Sequence, residues 1–194
     1  MIDLHIHSTA SDGSFTPSQI VTLAKKAGVR AISITDHDTI DGIRDLFDHP
    51  APRIVKMITG VEISCAPPDG FENTGSIHLL GYGFSVHDPG LNALLKEAKK
   101  ARAGRNPLII EKLNQIGFDI SMSQVEERFG ADQTGRPHIA ELMKEKGYVQ
   151  SFTEAFDKYL AKGRHGYVDK YKVSCRKAIE IIHRAGGLAV KNLA

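Results

Sequence analysis

Six residues of metal-ligand type, His5, His7, Asp12, His37, Glu62 and His78, decide the reading of this chain, and all six fall within the first eighty positions. His5 and His7 stand two apart in Asp3-Leu4-His5-Ile6-His7, and Asp12 follows in Ser11-Asp12-Gly13. His37 lies in Thr35-Asp36-His37-Asp38, Glu62 closes Gly60-Val61-Glu62, and His78 lies in Ser76-Ile77-His78-Leu79. Each sits at or just beyond the end of a short apolar run, or early in one. Side chains alternate faces along a strand, so Asp3, His5 and His7 share a face, and Leu4 and Ile6 point the other way. Two imidazoles so placed can grip one metal, and Asp3 is positioned to orient one of them. A lone His-x-His is ordinarily a surface coincidence, and Ser-Asp-Gly alone is ordinarily a turn. Their recurrence with His37, Glu62 and His78 points instead to a site for more than one ion. Mixed oxygen and imidazole donors suit Zn, Mn or Fe rather than Ca. Clustered ions of this kind activate water against phosphate esters or amides, so water is the expected nucleophile and no side chain is assigned that role.

The elements that must hold these residues follow from the pattern of apolar runs and turn residues. Residues 2–7 predict a strand. Thr16-Pro17 predicts a helix start, with Thr as N-cap and Pro in the first helical position, and Gly28 predicts its end. Strands are predicted over 30–36, 54–64 and 77–84, with a helix near 40–48. Strand-helix-strand order at this spacing argues for a parallel sheet or barrel. His37 and Glu62 then fall at the C-terminal ends of the second and third strands, the edge that carries chemistry in such folds.

Asp88-Pro89 marks a change. Residues 91–165 read as almost wholly helical, with capping-box spacing in Ser123-x-x-Glu126 and Ser151-x-x-Glu154 and a helix start at Arg136-Pro137. Three segments result: residues 1–90, a helical insertion over 91–165 placed above the active edge, and a return to the sheet over 166–194 through Tyr167-Val168, a helix from Ser174 to about Ala185, and an apolar run at 188–190. In Gly135-Arg136-Pro137-His138, Arg136 is placed to grip an anion at a helix start. Lys96, Lys99, Lys100, Arg102 and Arg105 crowd one helix, a solvated face in the ordinary case and a funnel for a polyanion in the functional one. His49, His87, His165 and His183 lack ligand context.

The 194-residue chain has a formal net charge of +2, unevenly spread: residues 1–90 hold 6 basic and 11 acidic side chains, and residues 91–194 hold 19 and 12. An acidic, ligand-bearing half beside a basic half suits an anionic substrate held by metals. Two cysteines, Cys65 and Cys175, form no CxxC or disulfide framework and are expected to be reduced thiols of a cytoplasmic protein. No signal peptide is evident, and no apolar run approaches the ~20 residues of a membrane span, so no membrane association and no stable protein partner are expected.

The motifs Asp3-Leu4-His5-Ile6-His7-Ser8, Ser11-Asp12-Gly13, Thr35-Asp36-His37-Asp38, Gly60-Val61-Glu62 and His78-Leu79-Leu80-Gly81-Tyr82 together resemble the PHP family, named after polymerase and histidinol phosphatase. Gly135-Arg136-Pro137-His138 within a helical insertion resembles the branch acting on nucleotides and short RNA or DNA ends. The resemblance implies an α/β fold, a distorted TIM-like (β/α)7 barrel with up to three metals (Mn, Zn or Fe) at its C-terminal edge. It implies that His5, His7 and Glu62 serve one metal, Asp12 and His37 a second, and Glu62 and His78 a third, with Arg136 and His138 on substrate phosphate. It implies a metal-dependent phosphoesterase, a nucleotide phosphatase or 5'-3' exonuclease, whose substrate is a phosphorylated nucleotide or short oligonucleotide. After Gly186-Gly187-Leu188-Ala189-Val190 the family continues into an Ala-His-Pro ligand motif, further strands and an Asp-x-His pair, whereas this chain reads Lys191-Asn192-Leu193-Ala194. The expectation is therefore a C-terminally truncated barrel in which each metal lacks one ligand. The competing expectations are a catalytically impaired fragment that retains partial metal or anion binding, and a metal-dependent amidohydrolase.

Overall fold

A computed structural model describes residues 1–48, 55–68, 77–130, 134–169 and 171–192. His49 and residue 54, where the third strand is predicted to begin, lie outside the described residues. The first elements alternate: β1 (Ile2–Ile6), α1 (Pro17–Lys26), β2 (Ala31–Ile34), α2 (Asp41–Asp48), β3 (Lys56–Ala66) and β4 (Ile77–Tyr82). α1 starts as its sequence requires. The Thr16 hydroxyl accepts from the Gln19 N–H, Pro17 fills the first turn, and Gly28 takes a positive φ of 68° beyond the end.

The sheet is mixed, and the expectation of an all-parallel sheet is corrected at the fourth strand. β1, β2 and the start of β3 are parallel, but β4 runs antiparallel to β3, pairing Gly60 with Tyr82 and Cys65 with Ile77. The physical reason is the short connection. Only ten residues separate Ala66 from Ile77, fewer than a parallel crossover needs. β3 changes neighbours along its length. Residues 56–59 pair with β2, a parallel bridge joins His37 to Glu62, and Cys65 and Ala66 pair with β5 (Val173–Ser174). Glu62 is therefore inside a long strand rather than at its C-terminal end. The sheet is also strongly curled. The Tyr82 hydroxyl on β4 donates to the Leu4 carbonyl on β1 at 2.8 Å, although two strands lie between them and flat neighbouring strands stand ~4.8 Å apart.

The chain divides into two compact units. The first is Met1–Lys99 with Lys172–Ala194, and the second is Lys100–Tyr171. The first buries Ile32, Ile34, Ile43, Val61, Ile63, Leu91 and Ile182 around the sheet. It is completed by α7 (Cys175–Arg184), capped by Ser174, and by β6 (Leu188–Lys191), antiparallel to β4. α3 (Pro89–Asn114) begins in this unit, where the Asp88 carboxylate accepts from the Leu91 N–H at 2.7 Å.

The second unit is helical, with α4 (Met122–Phe129), α5 (Arg136–Glu145), α6 (Phe152–Ala155) and a π-helical turn over Phe156–Leu160. Its own core includes Ile109, Leu113, Ile120, Val125, Ile139, Met143 and Leu160. The α4 cap differs from the expected Ser123 and Glu126. Ser121 is the N-cap, its hydroxyl accepting from the Gln124 N–H while the Gln124 side chain accepts from the Ser121 N–H. Extended backbone at Ser121, beside buried Ile120, places its oxygen over the helix end, and Ser123 bonds the Ser121 hydroxyl instead. Ser151 caps α6 as expected, and the Glu154 carboxylate accepts from the Gln150 N–H at 2.6 Å. Tyr167 and Val168 form no strand, because pairing with β3 starts only at Val173. No described helix is long and apolar enough to cross a membrane.

Candidate metal centre

The six ligand-type residues converge on one point, with Glu62 at its middle. Glu62 is 2% exposed and sits where β3 meets both β4 and the His37 bridge. Its Oε2 lies 3.0 Å from both His5 Nε2 and His7 Nε2 and 3.6 Å from His37 Nδ1. Its Oε1 lies 2.6 Å from His78 Nδ1 and accepts from the Asn192 amide at 3.0 Å. Asp12 stands on the far side of His7, its Oδ1 3.1 Å from His7 Nδ1 and its Oδ2 3.6 Å from His37 Nε2. The donor atoms form three overlapping groups: His5, His7 and Glu62; His7, Asp12 and His37; and His37, Glu62 and His78.

The arrangement fits divalent ions better than it fits a purely structural network. A carboxylate offers about four acceptor sites, yet four imidazoles and the Asn192 amide crowd this one. Successive rings are 5.1, 4.6 and 5.0 Å apart from His5 through His7 and His37 to His78. Protonated imidazoles so close repel one another, whereas neutral ones offer lone pairs to a shared cation. The metal-free electrostatics express the same demand. Hydrogen bonds to Asp12 and Glu62 push the His7 imidazole up to about 10. The His7 contact is the main reason that Asp12 is drawn down to about 2. Burial pushes Glu62 up, but hydrogen bonds from His7 and His78 outweigh it and hold the group far below the usual carboxylate range. Protons at these atoms occupy the positions that a metal would take.

Two further carboxylates hold the candidate ligands in place, and sequence reasoning gave them no role. Asp36 is 1% exposed and accepts from the Ser8 N–H, the Ser8 hydroxyl and the Ser11 hydroxyl, each at 2.7 Å. It thereby fixes the loop that begins with His7 and presents Asp12. The Thr35 N–H donates to the Ile6 carbonyl at 2.8 Å, which brings this loop and the Asp36 segment together. Asp38 accepts from the Ser64 N–H and hydroxyl at 2.8 and 2.9 Å, and its own N–H donates to the Glu62 carbonyl. It holds a φ of 55°, a left-handed conformation rare outside glycine. Thus Thr35-Asp36-His37-Asp38 presents His37 to the cluster and anchors the loop after β1, and β3, with its two acids. The available signal was the pair of carboxylates flanking one histidine in an otherwise apolar stretch.

Two glycines are required at close approaches. A Cβ on Gly13 would overlap the His7 carbonyl, and one on Gly42 would overlap the Asp36 carboxylate and the Ser8 hydroxyl. Asp3 does not orient an imidazole as anticipated; its recorded bond is from the His5 backbone N–H at 3.3 Å. Among the described residues, His87, His165 and His183 join no ligand group. Arg136 and His138 sit together on the first turn of α5, in the second unit. Arg136 donates to the Leu160 carbonyl at 3.1 Å and lies over the Tyr167 and Phe156 rings at 5.3 and 5.9 Å. His138 accepts from the Gly135 N–H through Nδ1 at 3.1 Å, and burial lowers its affinity for a proton.

The PHP domain matches residues 3–188. The chain is 36% identical over 189 residues to a 5'-3' exoribonuclease of Haemophilus influenzae, covering 97% of this chain and 66% of that protein. It is 30% identical over 197 residues to a 3',5'-nucleoside bisphosphate phosphatase of Chromobacterium violaceum, covering 97% and 65%. A solved structure of an amidohydrolase from Chromobacterium violaceum, with sulfate bound and no metal, superposes with a TM-score of 0.81 at 28% identity, covering 100% of this chain and 69% of that one. The chain thus spans a little under two thirds of the length of these curated relatives. With the matched domain running through nearly all of its sequence, the chain belongs to the PHP domain family.

Proposed function

We propose that this chain is a metal-dependent phosphoesterase that hydrolyses phosphate esters of nucleotides or short oligonucleotides. The observation that carries the reading is the set of three overlapping His/carboxylate groups around buried Glu62. His5, His7 and Glu62 would hold one ion, Asp12 and His37 with His7 a second, and Glu62, His37 and His78 a third. Mn, Zn or Fe are the ions suited to these donors. Ions held there supply an activated water and neutralise charge on the phosphate.

The chain's own residues perform the positioning. Glu62 is common to two groups and fixes the spacing of their ligands. Asp36 and Asp38 hold His7 and His37 against it. Arg136 and His138 are assigned to substrate phosphate by family resemblance, and the guanidinium of Arg136 suits a phosphate oxygen pair. The curled sheet, with Tyr82 reaching Leu4, supports its assignment to the distorted (β/α)7 barrel of the family. The cytoplasm suits two free thiols.

The relatives' names favour phosphate esters, and the amidohydrolase neighbour supplies the alternative substrate class. The test sets metal-loaded protein against a 3',5'-bisphosphorylated nucleoside, a 5'-phosphorylated dinucleotide and a panel of amides. Phosphate release that EDTA abolishes, and that His7→Ala removes with the circular dichroism spectrum retained, is the expected result. Amide hydrolysis without phosphate release, or metal-independent turnover, would overturn the reading.

A further inference from the structure

We infer that the cleft between the start of α2 and the first half of α3 is a subsite for a backbone phosphate of a polynucleotide, separate from the phosphate placed at the metal cluster. The inference rests on the phosphoesterase reading and extends it to the substrate's length. The cleft holds about 310 Å3 and is lined by Asp38, Asp41, Arg44, Asn92, Lys96 and Lys99, among others. All belong to the first unit.

The first argument is position. Asp38 adjoins His37 in the chain, so the cleft begins one residue from a cluster ligand. His7 follows β1, His37 follows β2, and α2 starts seven residues beyond Ile34. These parallel strands place all three at the C-terminal edge of the sheet. A chain with its terminal phosphate at the cluster can continue into the cleft.

The second is charge. Three cations face two carboxylates, and the Asp38 carboxylate already accepts from the Ser64 N–H and hydroxyl. Asp41 lies 3.8 Å from Arg44 Nη1 and 3.6 Å from Lys99 Nζ, so one acid is shared between two cations. Lys96 and Lys99 are exposed. An excess of positive charge beside a catalytic edge raises the local concentration of an anionic chain.

The third is rigidity. Arg44 donates through Nη2 to the Val86 carbonyl at 3.3 Å and to the Asn92 side-chain oxygen, and Asn92 donates to the same carbonyl at 3.0 Å. The guanidinium is held by α3 and the preceding loop before any ligand arrives, which lowers the ordering cost of binding. Exposed lysines on flexible stems then supply adaptable contacts, suited to a backbone that is read by charge rather than by base.

The test measures binding by fluorescence anisotropy in EDTA, where no cleavage occurs. The probes are 3'-labelled, 5'-phosphorylated single strands of one, three and six nucleotides. The protein is compared with Lys96→Ala/Lys99→Ala and with Lys96→Arg/Lys99→Arg. The Ala pair should weaken hexamer binding roughly tenfold and lower the slope of log Kd against log salt by about 0.7 for each backbone phosphate released. Mononucleotide binding should stay within about twofold, and the Arg pair should retain hexamer affinity. Equal losses for all lengths, no loss for the hexamer, or a wild-type hexamer affinity no better than the mononucleotide's would each overturn the inference. So would equally tight binding of hexaglutamate, which would make the cleft a general polyanion site. Metal-dependent hydrolysis of p-nitrophenyl phosphate, followed in parallel, separates this outcome from failure of the phosphoesterase reading. That reaction needs no second phosphate and should be unchanged in both variants.

Discussion

Loading the cluster with metal should expel protons, and the number can be anticipated. In the metal-free protein the His7 imidazole is pushed up to about 10 from an ordinary 6.5, first by its hydrogen bond to Asp12 and then by Glu62. At pH 7 it carries a proton that a metal must displace. Three pH units at ~1.4 kcal/mol each is a cost of about 4 kcal/mol, on the order of a thousandfold in apparent affinity. His7 is 22% exposed, so salt trims this figure without removing it. Apparent affinity should therefore rise about tenfold per pH unit between pH 7 and 9, with at least one proton released per chain loaded. Calorimetric titration with Mn2+ in two buffers of different ionisation enthalpy counts those protons directly. His7→Gln should release one fewer. Zero release at pH 7, or the same count in the variant, would refute the assignment of His7 as a ligand that must lose a proton.

Stability of the metal-free protein should follow the same groups with opposite dependence. The His7 contribution is fully present below pH 6.5 and is lost as pH rises through about 10, so thermal melting of EDTA-treated protein should fall across that window. The Asp12 contribution is present above pH 3.8 and lost as pH falls through about 2, a window open to acid titration followed by circular dichroism. Asp36→Ala strands three donors from Ser8 and Ser11 and should cost about 2–4 kcal/mol in urea unfolding, with Asp36→Asn milder. Weakened Mn2+ binding in Asp36→Asn at retained fold would mark its positioning role, and unchanged affinity would deny it. Glu62→Gln removes the carboxylate shared by two groups, so elemental analysis should find at most one tightly held ion per chain. Gly13→Ala should lower metal content by displacing the His7 backbone, and a fully loaded variant would contradict the close approach at that position.

The candidate ligands were legible because their types are few and their places repeat. His5, His7, Glu62 and His78 stand within or at the ends of apolar runs, His37 stands just beyond one, and period-two alternation alone puts His5 and His7 on one face. The direction of β4 was not legible from local pattern, since Ile77–Tyr82 reads alike in either orientation; only the ten-residue spacing from Ala66 held the answer. The roles of Asp36 and Asp38 were hidden for another reason. A carboxylate beside a histidine invites a ligand assignment, and only the fold shows these two turned away onto Ser8, Ser11 and Ser64. Arg136 was visible as a helix-start cation, but its seat over Phe156 and Tyr167 depends on residues twenty and more positions away. The α4 cap was misplaced by two because Ser121 and Ser123 offer the same hydroxyl, and backbone conformation selects between them.

The interrupted first unit bears on how the molecule comes into being. Leu80 of β4 pairs with Val190 of β6, and between β4 and α7 the ribosome must deliver all 72 residues of the second unit. All six ligand-type residues emerge before that delay, while the outer edge of β4 and the covering helix α7 wait for its end. The nascent chain therefore carries its cluster on a sheet with an open edge, exposed to pairing with other chains. Closure is a contact of long sequence separation, and such contacts form slowly. Synthesis of the second unit thus sets the earliest moment at which the early strands are sealed.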